Sequence, residues 1–194
     1  MKNLKMVASV AMTAMAAFAF VGAGSASATT LEVGGATKNE AVTIVGSLEK
    51  ETSLILSRTD GSLANTCTTF EIEGTAVSPF TGASVAGSGK TLAFGNCERA
   101  VTAHKTGTLI GEHIPGTTNA TMSSSGAEVT AGSPFGTLNC KTGSGTHLGI
   151  LTGTASGHAR LHINAILNCG FLVPSASMKG TVTVTSPTGV AASA

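Results

Sequence analysis

The sequence predicts an all-β fold, an antiparallel β-sandwich or barrel held by disulfides. Three observations lead there. Short β-branched apolar runs such as "AVTIVGSL" and "GTVTVTS" recur along the chain. Glycines interrupt nearly every ten residues, and no segment after the first thirty holds an apolar period of 3.6, so helices find little support. Four cysteines stand 30, 43 and 29 residues apart. That spacing lacks the close Cys pair of a zinc site and reads as two disulfides in an exported chain.

Export is expected from the beginning of the chain. Lys2 and Lys5 precede an uncharged, mostly apolar run from Met6 to Gly22, and Ala26-Ser27-Ala28 offers a small-residue cleavage site. Residues 1–28 therefore read as a signal peptide, with no transmembrane segment remaining after cleavage. Residues 29–194 then form a single secreted β domain, long enough for a proper core. Without Lys2 and Lys5, nine basic and ten acidic residues remain. The arginines are Arg58, Arg99 and Arg160 alone, too few and too scattered to condense on phosphate, so nucleic acid is excluded as a partner.

The elements follow in order. "AVTIVGSL" (Ala41–Leu48) and "SLILS" (Ser53–Ser57) are strands separated by a charged turn at Glu49–Glu51. "TFEIEG" alternates Phe70 and Ile72 with Glu71 and Glu73, the pattern of a strand with one buried face. "KTLAF" and "TGTLIG" flank Cys97, and "ATMSSSGAEVTAG" holds two short strands. "GTLNC", "LGILTGTA", "ARLHINAIL" and "KGTVTVTS" complete about eleven strands, many at the eight- to twelve-residue spacing of a sandwich or barrel. The absence of Trp and Tyr argues against an outer-membrane barrel with aromatic girdles.

Two strand-like runs end in Asn-Cys, at Cys97 and at Cys169. With small gaps, Val101 aligns with Val173, Lys105 with Lys179 and Gly107 with Gly180, at offsets of 72–74 residues. Two diverged halves, about 40–113 and 114–187, account for this; chance agreement in a Thr/Gly-rich chain is the competing explanation. Pairing within halves, Cys67–Cys97 and Cys140–Cys169, is the natural expectation, although spacing leaves the other two connectivities open.

Candidate chemistry is sparse. "HARLHIN" holds His158, Arg160 and His162, the best candidates for a weak metal or ligand face. On a strand, however, positions four apart are separated by about 13 Å, too far to share one ion. A solvated polar face is the plainer reading, with no metal and no cofactor. The single aspartate, Asp60, lies in an Asp-Gly turn and leaves no partner for a hydrolytic triad. "GSGKT" (Gly87–Thr91) fails the phosphate-loop spacing because Ser84 stands where a glycine is needed, and it reads as a hairpin turn. The phenylalanines Phe70, Phe80, Phe94, Phe135 and Phe171 read as core plugs rather than a sugar-stacking platform. No enzyme is expected.

"SPFGTLNC", "KGTVTVTSP" and the order of the four cysteines resemble the uncharacterised secreted, Gly/Thr-rich, four-cysteine proteins of actinobacteria. More distantly they resemble the PraB-type activators of alkane oxidation. The resemblance runs loosely from Cys67 to Pro187 and implies export, a β-rich fold and a role at the cell surface or in the medium during growth on hydrophobic substrates. It carries no catalytic residues over. The expectation is a secreted extracellular or cell-surface protein with a structural or interaction role that assists contact with hydrophobic substrates. Its expected partners are further copies of itself, other cell-surface components or hydrophobic small molecules, with Thr29–Asn39 available as a donated strand. The alternative is a monomeric ligand-binding module or a cryptic enzyme.

Overall fold

The computed structural model describes residues 29–62, 64–77, 84–133, 136–171 and 173–193. The expected signal peptide, together with Phe80 and Phe135, lies outside these residues. Among the described residues the chain is strand and turn throughout. No described helix is long and apolar enough to cross a membrane. The first strands are β1 (Thr30–Val33), β2 (Ala36–Thr37), β3 (Val42–Leu48), β4 (Leu54–Arg58) and β5 (Asn65–Val77). Then come β6 (Val85–Cys97), β7 (Val101–Lys105), β8 (Thr108–His113), β9 (Ala120–Ser125) and β10 (Glu128–Ser133). The last are β11 (Gly136–Lys141), β12 (Thr146–Thr152), β13 (Arg160–Asn168), β14 (Ser175–Ser186) and β15 (Val190–Ser193).

Eight of these strands close on themselves. β3 pairs with β5, β5 with β6 and β6 with β8; β9 pairs with β12, β12 with β13 and β13 with β14. Two seams, β8–β9 and β14–β3, join these sets into an antiparallel barrel. Of the two predicted architectures, the barrel is the one formed. Each set of four has the same pairing order. The agreement extends to the short strands: β4 lies between β5 and the first residues of β14, and β10 between β11 and β7. The sets part company at β5, which runs unbroken where the second set has the separate strands β11 and β12, and again at β7. β13 pairs with β14 from Arg160↔Thr183 down to Asn168↔Ser175, whereas β7 is laddered to β10 alone among the described strands. Thr106 and Gly107 (φ 69°) turn the chain there, and Gly107 sits against the backbone of Ser125 and Ala127, where no side chain fits.

Local sequence explains most of the strands. β13 shows the alternation most plainly: Ile163, Ala165 and Leu167 are buried, while His162, Asn164 and Ile166 are exposed. Phe70 is buried and Glu71 exposed in β5. The core at the disulfide end gathers Leu54, Leu56, Phe70, Ile163 and Leu167, with the Phe70 and Phe94 rings 5.0 Å apart. Both cysteine bridges join residues within a half, Cys67–Cys97 and Cys140–Cys169. At the second Asn-Cys corner, the side-chain Oδ1 of Asn168 accepts the Gly170 N–H at 3.3 Å, the start of a turn. At the first, Asn96 takes a left-handed φ of 47°.

Two expectations are corrected. "GSGKT" is no turn but part of β6, because Gly74 pairs with Gly89 and Ala76 with Gly87 along the β5–β6 ladder. Its glycines permit strand contact: a Cβ on Gly87 would stand 3.0 Å from the Thr75 carbonyl oxygen. Phe171 is no core plug. β13 ends at Asn168, Gly170 turns with φ 92°, and the ring is left 96% exposed.

Candidate functional site, the barrel lumen

An eight-stranded barrel is just wide enough for side chains to fill it or for one small ligand to enter. In this one the inward positions of the first half are repeatedly glycine: Gly46 on β3, Gly74 on β5, Gly87 on β6 and Gly111 on β8. Each stands beside a larger residue on a neighbouring strand, through the pairs Gly46↔Ile72, Gly74↔Ile44, Gly87↔Leu109 and Gly111↔Met122. The second half contributes bulk from Met122, Leu151, Leu161, Val182 and Val184. A cavity of about 120 Å³ remains between them. A second space of about 60 Å³ lies toward the disulfide end, bordered by Phe70, Phe94 and Ile163, with Lys141 among its lining residues. Ile72, Leu109 and Leu161 line both spaces and form the partition between them.

The small sheet β2–β1–β15 roofs the larger space. β1 pairs with β15 from Thr30↔Ser193 to Val33↔Val190, so the segment expected as a donated strand is engaged within its own chain. Leu31, Val190, Ala191 and Ala192 are buried beneath it. Backbone bonds tie the roof to the barrel loops: Thr154 N–H to Val190 O at 2.9 Å, Gly189 N–H to Gly157 O at 2.7 Å and Ala192 N–H to Thr118 O at 3.1 Å. The Thr29 hydroxyl accepts the His113 N–H at 2.9 Å. No titratable side chain lines the larger cavity among the described residues.

The polar residues singled out in the sequence lie elsewhere. Arg160 and His162 are exposed on β13, and His158 precedes that strand. They do not converge, and each engages a separate partner. His158 Nδ1 is 2.8 Å from Val184 O, Arg160 Nε is 3.0 Å from Glu49 Oε1, and His162 Nδ1 is 3.4 Å from Thr181 Oγ1. Among the described residues no group of three His, Cys, Asp or Glu side chains could hold a metal ion. On another face, Lys105 Nζ lies 2.7 Å from Glu128 Oε1 and, by donating to it, holds that carboxyl below the usual carboxylate range.

Sequence reasoning missed the lumen. Its signal is present as mid-strand glycines in "VGS", "EGT", "VAG" and "IGE". A glycine inside a strand marks a close approach or an empty place, but which face it empties is decided only when the strands close. Comparison with protein-family models, with curated proteins and with solved structures gave no match.

Proposed function

We propose that this chain is an exported binding protein whose barrel holds a small apolar molecule. The observation that carries the reading is the lumen itself, a space of about 120 Å³ walled mainly by aliphatic side chains, Met122 and glycines, with Thr29, Thr30 and Thr75 at its border. A cavity of about 150 Å³ lined by Leu, Ile and Phe stays dry and takes up benzene or xenon. The two disulfides are consistent with an extracellular location. The expected signal peptide adds a route there. A barrel that collects apolar molecules outside the cell also fits the role with hydrophobic substrates that the four-cysteine resemblance implies. In this reading the protein binds and does no chemistry.

Xenon tests the reading directly. A crystal pressurised with xenon is expected to show the atom between Gly111, Met122 and Leu151. A lumen without xenon, in crystals that diffract unchanged, would reject it.

A structural role through self-association is the second reading. Phe171, 96% exposed, favours it, as does the stretch 91–95 of β6, which is laddered to β5 alone among the described strands. Light scattering on the purified protein distinguishes the two: a monomer supports the binding module, and filaments or large assemblies support the structural role.

A further inference from the structure

We infer that the lumen selects its ligand by refusing polar groups, so that the ligand is a neutral hydrocarbon with no hydrogen-bonding end, and that the Gly111–Met122 wall limits its size. The inference rests on the binding reading above and gives it a chemical class.

Few polar side chains reach the lumen. Three threonines border it: Thr29, Thr30 and Thr75. The Thr29 hydroxyl accepts the His113 N–H. The Thr30 hydroxyl is 2.6 Å from the Ser193 hydroxyl, within the roof sheet. Thr75 alternates with the lumen-facing Gly74 and Ala76, which carries its hydroxyl to the outer face of β5. Within the barrel wall the lumen-lining backbone is laddered to neighbours on both sides, as for Gly87 between Ala76 and Leu109 and Met122 between Gly111 and Gly149. A carboxylate, hydroxyl or amide brought into this space gives up its water and finds no cation and no hydroxyl that is not already engaged. Such a group is expected to bind at least about a hundredfold more weakly than the matching hydrocarbon.

The lumen glycines differ in whether they hold space open. A Cβ on Gly74 would meet the Ser88 carbonyl oxygen at 2.9 Å, and one on Gly87 the Thr75 carbonyl oxygen at 3.0 Å. Those two are needed where backbones approach. Gly111 differs: its nearest neighbour would be Met122 Sδ at 3.3 Å, the far end of a flexible side chain. A side chain at 111 therefore extends into the lumen without breaking a strand pair. Met122 can swing to fit what enters, as an unbranched thioether does in irregular space.

The test measures the melting temperature of the purified protein in sealed vessels against free concentration of n-hexane, 1-hexanol and sodium hexanoate. A ligand that binds the folded state alone raises Tm in step with the logarithm of its concentration. Hexane is expected to raise it, the alcohol and acid to leave it unchanged at matched concentration, and Gly111→Val to abolish the hexane response. Met122→Ala, which widens the same wall and adds no bulk, is expected to keep that response, and it provides the reading if Gly111→Val fails to fold. If hexanol or hexanoate raises Tm as hexane does, and Gly111→Val removes all three responses, the selectivity is wrong while binding in the lumen stands. If none raises Tm, or the hexane response survives Gly111→Val, the lumen is not the site and both readings fall.

Discussion

At Asp60 a single carboxylate organises a turn. Its Oδ1 accepts the Ser62 hydroxyl at 2.6 Å and the Ser62 N–H at 2.8 Å, while Gly61 between them takes φ 82°. The Ser62 hydroxyl first, then its N–H, and then the charge of Arg58 hold the Asp60 carboxyl below its ordinary range. A depressed carboxyl favours the folded state above the unfolded pKa, and that contribution disappears as pH falls through the folded one. Ser62→Ala is expected to move the Asp60 titration upward toward the ordinary aspartate value, followed by NMR of the side-chain carboxyl carbon; an unmoved titration would show that the hydroxyl is not the chief cause. This turn was legible because Asp-Gly has a local mechanism. The phenylalanines were not legible in the same way. Phe70, in the alternating run Phe70-Glu71-Ile72-Glu73, is 3% exposed, whereas Phe171, between Gly170 and Leu172, is 96% exposed. What separates them is the position of a strand end, and that is no property of the ring.

The two disulfides hold elements of different strength. Cys67 and Cys97 stand opposite each other at one end of a ladder that continues to Val77↔Ala86. Cys140–Cys169 fastens β11 to the end of β13, where the strands share the single pair Lys141↔Asn168. Either bridge closes a loop of about thirty residues, a constraint on the unfolded chain of roughly 3–4 kcal/mol. Replacing both Cys140 and Cys169 by Ser is therefore expected to lower stability by about that amount in denaturant unfolding. It is also expected to speed hydrogen exchange in β7, β10 and β11 well beyond that in β5 and β6. Equal loss of protection across all five strands would show that the bridge does not act locally. The strands were readable where alternation is clean, as in β13. β6 was read only in part, because "GSGKT" holds glycines where strand-formers are expected, and β5 and β8 on either side are what make it a strand.

For the whole molecule, the roof decides whether the lumen meets solvent. β15 has almost no exposed surface: Val190 is 0% exposed and Ala191 1%. Its loss removes the partner of β1 and the lumen-lining residues Val190, Ala191 and Ala192 while leaving the barrel pairings in place. Ending the chain at Gly189 is expected to preserve the β circular dichroism signal and to raise fluorescence of a dye that binds exposed apolar surface. A cooperative loss of the β signal instead would make the roof part of the barrel's folding unit rather than a cover.

Patterns of two or three residues determined the all-β class, the turns and most strand positions, because alternation, β-branching and Gly or Asn turn chemistry act within a few bonds. The within-half disulfide pairing was the natural expectation from spacing and needed the structure to choose it. Only the tertiary structure decided between sandwich and barrel, because closure depends on the β8–β9 and β14–β3 seams between residues distant in sequence. It also decided that Gly46, Gly74, Gly87 and Gly111 face one shared space. A glycine in a strand has no side chain to show which face it serves. The lumen they help form exists only once all eight strands have met.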